Sequence, residues 1–212
     1  MKWTTCLFLL MLTGLSAPTQ TMTVAQMKTE IEKSPNSPLY VKDILKKRFK
    51  IDTIQVARTS HFTSLADSLA YTGTLKKVYG PYTQNGTKFL VQVLARAPNT
   101  FFRLSQIYID TSVFRYRVAD SLSQAILNKL KNGSDSFEHL VQTYSMGGES
   151  ATQGDLGWVA EGVLVPQIER ELLRRKKGDV FCVWSSNGVH IIKKTENDKK
   201  DTGFALMMRV FL

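Results

Sequence analysis

Apolar and polar residues alternate along this chain with two periods, one of helices and one of strands. Between residues 18 and 38 the sequence is polar and carries three prolines, which predicts a loose leader with a short helix over Val24 to Lys33. Apolar residues at 41, 44, 45 and 49 have helical spacing. Ile51 to Ala57 alternates and predicts a strand. From Ser60 to Ala70 the pattern is helical again, with Ser60 as the expected cap and Phe62, Leu65, Ala66 and Leu69 on one face. Val78 to Tyr82 and Lys88 to Leu94 flank Asn85-Gly86, a dipeptide that accepts the positive φ angles of a tight hairpin turn.

Ala97-Pro98-Asn99-Thr100 interrupts the pattern and is the expected boundary between two units. Phe102 to Ile109 then reads as a strand. Val113 to Lys131 reads as a long helix with Val118, Leu122, Ala125, Ile126 and Leu130 as its apolar stripe and Asn132-Gly133 at its end. A second helix is expected over Ser136 to Tyr144, a structured Gly- and Ser-rich loop over Ser145 to Gly157, and a third helix over Pro166 to Arg175. Val180 to Trp184 and Val189 to Lys193 read as strands. Asp198 to Asp201 reads as solvated, and Phe204 to Leu212 as an extra strand or a pairing edge. Strand, helix, helix, loop, helix, strand, strand implies an α+β fold with helices on a small, mostly antiparallel sheet.

The N-terminus adds a destination to this picture. Met1-Lys2-Trp3, an apolar run from Cys6 to Leu12, and Thr13-Gly14-Leu15-Ser16-Ala17 have the three parts of a secretory signal, and the run is too short to span a bilayer. Residues 1–22 are therefore expected to be a signal peptide, cut near Thr21 to Ala25. Three further divisions follow: an α+β unit over 23–99, a domain over 100–196 and a tail over 197–212. Of 212 residues, 43% are hydrophobic and 22% charged, a composition that can fold around a real core, and the formal net charge is +10. That charge suits nucleic acid, anionic membrane or acidic clients. Export removes nucleic acid from the expectation and leaves a periplasmic or secreted protein without stable membrane insertion after cleavage. A DNA-binding reading would require cytoplasmic residence. Cys6 departs with the signal, which leaves Cys182 between Phe181 and Val183 as a small apolar residue rather than a nucleophile.

Five motifs in order carry a family resemblance: Phe137-Glu138-His139-Leu140 through Tyr144-Ser145, Gly154-Asp155-Leu156-Gly157-Trp158, Leu164-Val165-Pro166-Gln167-Ile168-Glu169, Lys177-Gly178-Asp179-Val180, and Asn187-Gly188-Val189-His190-Ile191-Ile192. Together they resemble the parvulin-type (PpiC, rotamase) peptidyl-prolyl cis-trans isomerases, of the kind found in exported bacterial foldases. The resemblance implies a parvulin-like fold over residues 100 to 195. It also implies rotation about Xaa-Pro amides in unfolded or proline-containing polypeptide clients, with no metal or cofactor.

It assigns positions as well. His190 falls on the last-hairpin histidine, Ser185 on a pocket hydroxyl, and Gln106 where the family has a first-strand histidine; glutamine still hydrogen-bonds but does not titrate. Leu164 falls on the pocket methionine and Ile168 on the pocket phenylalanine, which keeps an apolar seat without the flat ring. Leu156 and Trp184 complete the expected lining. Gly147 falls at or near a Cys or Asp of the family and removes that side chain. Asp110-Thr111-Ser112 is short and not basic, so phosphopeptide specificity is not implied. These departures set a slow isomerase against a parvulin-like chaperone that binds its clients without turnover.

The hairpins at 78–90 and 180–192 align without a gap at an offset of 102 residues, Asn85-Gly86 on Asn187-Gly188 and Lys88 on His190. Residues 39–97 then read either as a degenerate parvulin-like unit or as a second aromatic-rich hairpin without common origin.

Overall fold

The computed structural model of the chain describes residues 22–59 and 62–212, so the signal-peptide expectation and the Ser60 cap lie outside the described residues. The N-terminal part contains α1 (Val24–Lys33), a helical turn α2 (Ser37–Leu39) that continues as a π-helical turn over Tyr40–Ile44, β1 (Phe49–Gln55), α3 (Leu65–Thr72) and β2 (Val78–Gln84). A single strand, β3 (Thr87–Asp110), leads into the second part. There follow α4 (Tyr116–Lys131), α5 (Phe137–Tyr144), β4 (Asp155–Ala160), α6 (Pro166–Leu172), β5 (Val180–Trp184), β6 (Gly188–Lys194) and β7 (Lys199–Phe211).

Most helix ends follow from local chemistry. Thr23 caps α1 in a reciprocal capping box with Gln26, and Ser136 caps α5 through the amide of His139. The helix expected from Ser60 starts later, at Leu65, because Ser64 accepts from the Asp67 amide. The apolar stripe of α4 holds in part: Ile126 is buried, and Leu122 and Leu130 pack half-buried against the core. Ala119, Ser123 and Leu127 join them, whereas Val118 and Ala125 are exposed.

β3 is the spine of an antiparallel seven-stranded sheet. Along one edge it pairs first with β7, through Phe89 to Phe101, and then with β6, through Leu104 to Asp110. Along the other edge it pairs with β2 and then with β4. Two half-sheets, β2-β3-β7-β1 and β4-β3-β6-β5, therefore share one strand.

The pattern break at Ala97 to Thr100 does not end β3. The ladder with β7 shifts register between Ala97 and Pro98, so the break is a bulge, where a proline is tolerated inside a strand. Lys199 to Asp201, expected to be solvated, begin β7, and Asp198 pairs with the buried Lys194 at 2.7 Å. Asp155 to Gly157, expected to end a loop, instead begin β4, which runs to Ala160 because these residues add to the free edge of β3.

Both faces of each half-sheet are covered, and strand alternation sends successive residues to opposite cores. In the second half, Ile107, Ile109, Val189 and Ile191 pack under α4 and α5, together with the half-buried Cys182. Phe102, Leu104, Phe181, Val183 and Ile192 pack with Ile168 and Leu172 of α6. The two aligned hairpins pair in different registers. The first turns at Asn85-Gly86 with Thr83 opposite Lys88, and the second has Trp184 opposite Val189 across a four-residue loop.

Candidate active site

The period of two along the strands places the candidate residues on one face. Gln106 follows Phe102 and Leu104 on the α6 side of β3, and His190 precedes Ile192 on the same side of β6. His190 lies opposite Tyr108, so Gln106 is its diagonal neighbour across the pair. Ser185 continues the Phe181, Val183 face beyond the end of β5. The structure thus brings Gln106 beside Ser185 and His190, with Gln106 and His190 84 positions apart in sequence. His190 Nδ1 lies 3.1 Å from Gln106 Oε1, and its Nε2 lies 2.9 Å from Ser185 Oγ.

Gln106 Oε1 is an acceptor only, so this contact calls for the proton on Nδ1 of His190. Nε2 is then an acceptor for the Ser185 hydroxyl. Both ring nitrogens are satisfied by a neutral imidazole. His190 is 8% exposed and its ring lies against Tyr108 at 4.9 Å between centroids. Burial holds its pKa below the usual value, and the Glu149 carboxylate opposes that shift.

His190 and Gln106 stand at the wall of a cleft of about 800 Å³. Leu156, Leu164 and Ile168 line it, as the expected apolar seat requires, with Val163 and Val165 beside them. Trp184 does not line it. Its side chain points to the opposite face of β5 and stacks on Tyr116 of α4 at 4.4 Å between ring centroids. The reason is the strand period: Phe181 and Val183 face the α6 core, so Cys182 and Trp184 must face α4.

Glu149 and Arg58 also line the cleft and were not singled out by sequence. Glu149 sits on the 3₁₀ turn Gly148–Thr152, is 8% exposed, and accepts from Ser145 Oγ at 2.5 Å. Ser145 Oγ in turn accepts from the amide of Tyr108 at 2.9 Å. Any Cβ at position 147 would fall on the Glu149 carboxylate. The missing side chain at Gly147 is therefore the space that a neighbouring carboxylate occupies. Gly147→Ala is expected to expel that carboxylate and loosen the Ser145 contact, at about 1–3 kcal/mol of stability. Urea denaturation of the variant beside wild type measures the loss.

Arg103 on β3 pairs with Asp155 at 2.7 Å on the same cleft wall. Arg58 arrives from the N-terminal part: Arg58 bridges Val159 of β4, the Ala160 amide donates to the Ala57 carbonyl at 2.9 Å, and Arg58 Nη1 donates to the Leu156 carbonyl at 3.3 Å. Among the described residues no group of His, Cys, Asp and Glu has the arrangement of a metal site.

Several known proteins are similar to parts of this chain. A rotamase family model, the PPIC-type PPIASE domain, matches residues 115–196. Chaperone SurA of Burkholderia pseudomallei is 32% identical over 98 residues, which cover 43% of this chain and 22% of that protein. Foldase protein PrsA of Geobacillus kaustophilus is 25% identical over 198 residues, 82% of this chain and 66% of that protein. A crystal structure of a PpiC-type peptidyl-prolyl cis-trans isomerase domain aligns with 50% of this chain and 94% of its own length, at 22% identity and a TM-score of 0.45. The chain spans 22% of that SurA and 66% of that PrsA, so the relatives extend beyond it. Residues 115–196, less than half of the chain, are thus similar to the rotamase family of PPIC-type PPIase domains.

Proposed function

We propose that this chain is a peptidyl-prolyl cis-trans isomerase that acts slowly on exported, unfolded polypeptides. The observation that carries the reading is the neutral His190 held between Gln106 and Ser185 beside an apolar cleft. Rotation about an Xaa-Pro amide faces a barrier of about 18–20 kcal/mol, because twisting removes the amide resonance. Leu156, Leu164 and Ile168 would seat the proline ring, and the polar set would meet the amide as it twists. In that role His190 and Gln106 keep each other oriented, and Ser185 offers its hydroxyl to the imidazole or to the client. Residues 23–99 and the strand over 197–212 would extend the client-holding surface. The signal-like residues 1–22 support a periplasmic or secreted location. Among the described residues, no helix is long and apolar enough to cross a membrane.

A chaperone that binds without turnover is the second reading. Gly147 and Gln106 favour it, since neither carries a group that titrates. A protease-coupled assay on a proline tetrapeptide separates the two. Catalysis above the spontaneous rate, which corresponds to roughly 10–100 s at 25 °C, supports the isomerase. A rate equal to the spontaneous one, with retained binding of an unfolded client, supports the chaperone.

A further inference from the structure

Of the two cations in the cleft, one has no ion-pair partner among the described residues. Arg58, Arg103, Glu149 and Asp155 line the cleft. Arg103 is held by Asp155, and Glu149 is buried and hydrogen-bonded to Ser145. Arg58 has no carboxylate within ion-pair distance among the described residues, and its hydrogen bond to the cleft is a single long one to the Leu156 carbonyl. A guanidinium carries five N–H donors in a fixed fork that matches a carboxylate. Among the described residues, most of those donors have no partner. The contact with Leu156 matters because Leu156 lines the apolar seat, so the cation stands within one residue of the place where a proline ring would rest.

The position of Arg58 is not accidental to a flexible tail. Backbone contacts of Ala57 and Arg58 with β4 fasten this segment along the strand that carries Leu156. Arg58 also lies outside the matched domain, which begins at residue 115. The N-terminal part therefore supplies a wall and a charge that the isomerase domain alone lacks.

We propose that Arg58 makes the cleft selective for polypeptides bearing an Asp or Glu side chain beside the proline. The inference rests on the client-binding reading of the cleft and adds to it the chemistry of the client. A phosphate is the less suitable partner. Arg103, the other guanidinium of the cleft, is already engaged by Asp155, so the paired cations that favour a dianion are absent from this set.

The test uses the full mature chain and proline tetrapeptides that differ only before the proline, with Glu, Ala or Lys there. Each rate is corrected for that peptide's spontaneous isomerisation. The kcat/KM values are expected to fall in the order Glu, Ala, Lys, with Glu exceeding Lys about tenfold at low salt, which is the size of one charge-assisted hydrogen bond. In Arg58→Ala the Glu-to-Lys ratio is expected to fall near unity, and in Arg58→Glu it should invert. Inversion is the decisive readout, because a merely structural role for Arg58 would lower all three rates together. Equal rates for the three peptides in the wild type, or a ratio unchanged in both variants, overturn the inference while leaving isomerase activity intact. Should no peptide be turned over, their affinities by fluorescence anisotropy read the same preference. The inference then stands or falls on that order, independently of the catalytic reading.

Discussion

Replacing His190 by alanine is expected to cut kcat/KM for a proline peptide by roughly 10- to 100-fold while the chain stays folded. Removal of the ring deletes both of its side-chain hydrogen bonds, to Gln106 and to Ser185. Gln106 then loses its partner on the cleft wall. One such half-buried group left unpaired costs about 1 kcal/mol or more, and each 1.36 kcal/mol at the transition state is a factor of ten in rate. His190→Gln, which can keep one of the two contacts, should fall between the alanine variant and wild type. Retained catalysis in the alanine variant at the wild-type rate would remove His190 from the mechanism.

The same residue sets the pH response. Burial lowers its folded pKa below the ordinary value of about 6.5. Between those two values the unfolded chain binds a proton that the folded chain does not. The stability from a neutral His190 is therefore complete above pH ~6.5 and is lost as pH falls from there through the folded pKa. Activity should be flat at neutral pH and decline with a midpoint below that of free histidine. An NMR titration of the His190 ring checks the position directly.

Gly203→Ala is expected to be the most damaging small substitution in the N-terminal half-sheet, at about 3 kcal/mol or more. Gly203 is the extra residue of the β7 bulge opposite Ala97 and Pro98, and a Cβ there would fall on Asn99, within 2.9 Å of its Cα and amide nitrogen as well. Backbone cannot swing aside as the end of a side chain can. The strain would part β7 from β3 and from the Val56 amide, which donates to the Gly203 carbonyl at 2.8 Å. Thermal denaturation should show a fall in Tm of roughly 6–12 °C or more, since 1 kcal/mol corresponds to about 2–4 °C in a chain of this size. Gly86→Ala makes a useful contrast: it is strained by a φ of 74°, but its Cβ would meet open space.

What was readable from sequence and what was not separate along physical lines. The Asn85-Gly86 turn, the capped α5 and the His190 strand announce themselves through local chemistry that needs no distant partner. Gln106 and Ser185 were placed beside His190 through the order of five motifs, and the shared face of β3, β5 and β6 brings them there. Trp184 was misplaced because its side of the strand depends on which core Val183 enters. β4 was hidden because Asp155 to Ala160 become a strand only by joining an edge of β3. The bulge at Pro98 looked like a boundary because a proline and two polar residues interrupt alternation in the same way whether a strand ends or merely slips. Arg58 and Glu149 gave no signal at all. Their importance arises from a fold that carries one across to β4 and turns the other under Gly147.

The strand β7 closes a circuit that spans nearly the whole polypeptide. Phe49 near its beginning pairs with Val210 near its end, and the intervening ladder to β3 forms along the same residues. Contacts so far apart in sequence form slowly, because a long loop must close before they stabilise anything. A ribosome that delivers this chain from its N-terminus releases β1 long before β7 exists. The first half-sheet must therefore wait for the thirteen-residue β7, and stays open on that side until β7 arrives.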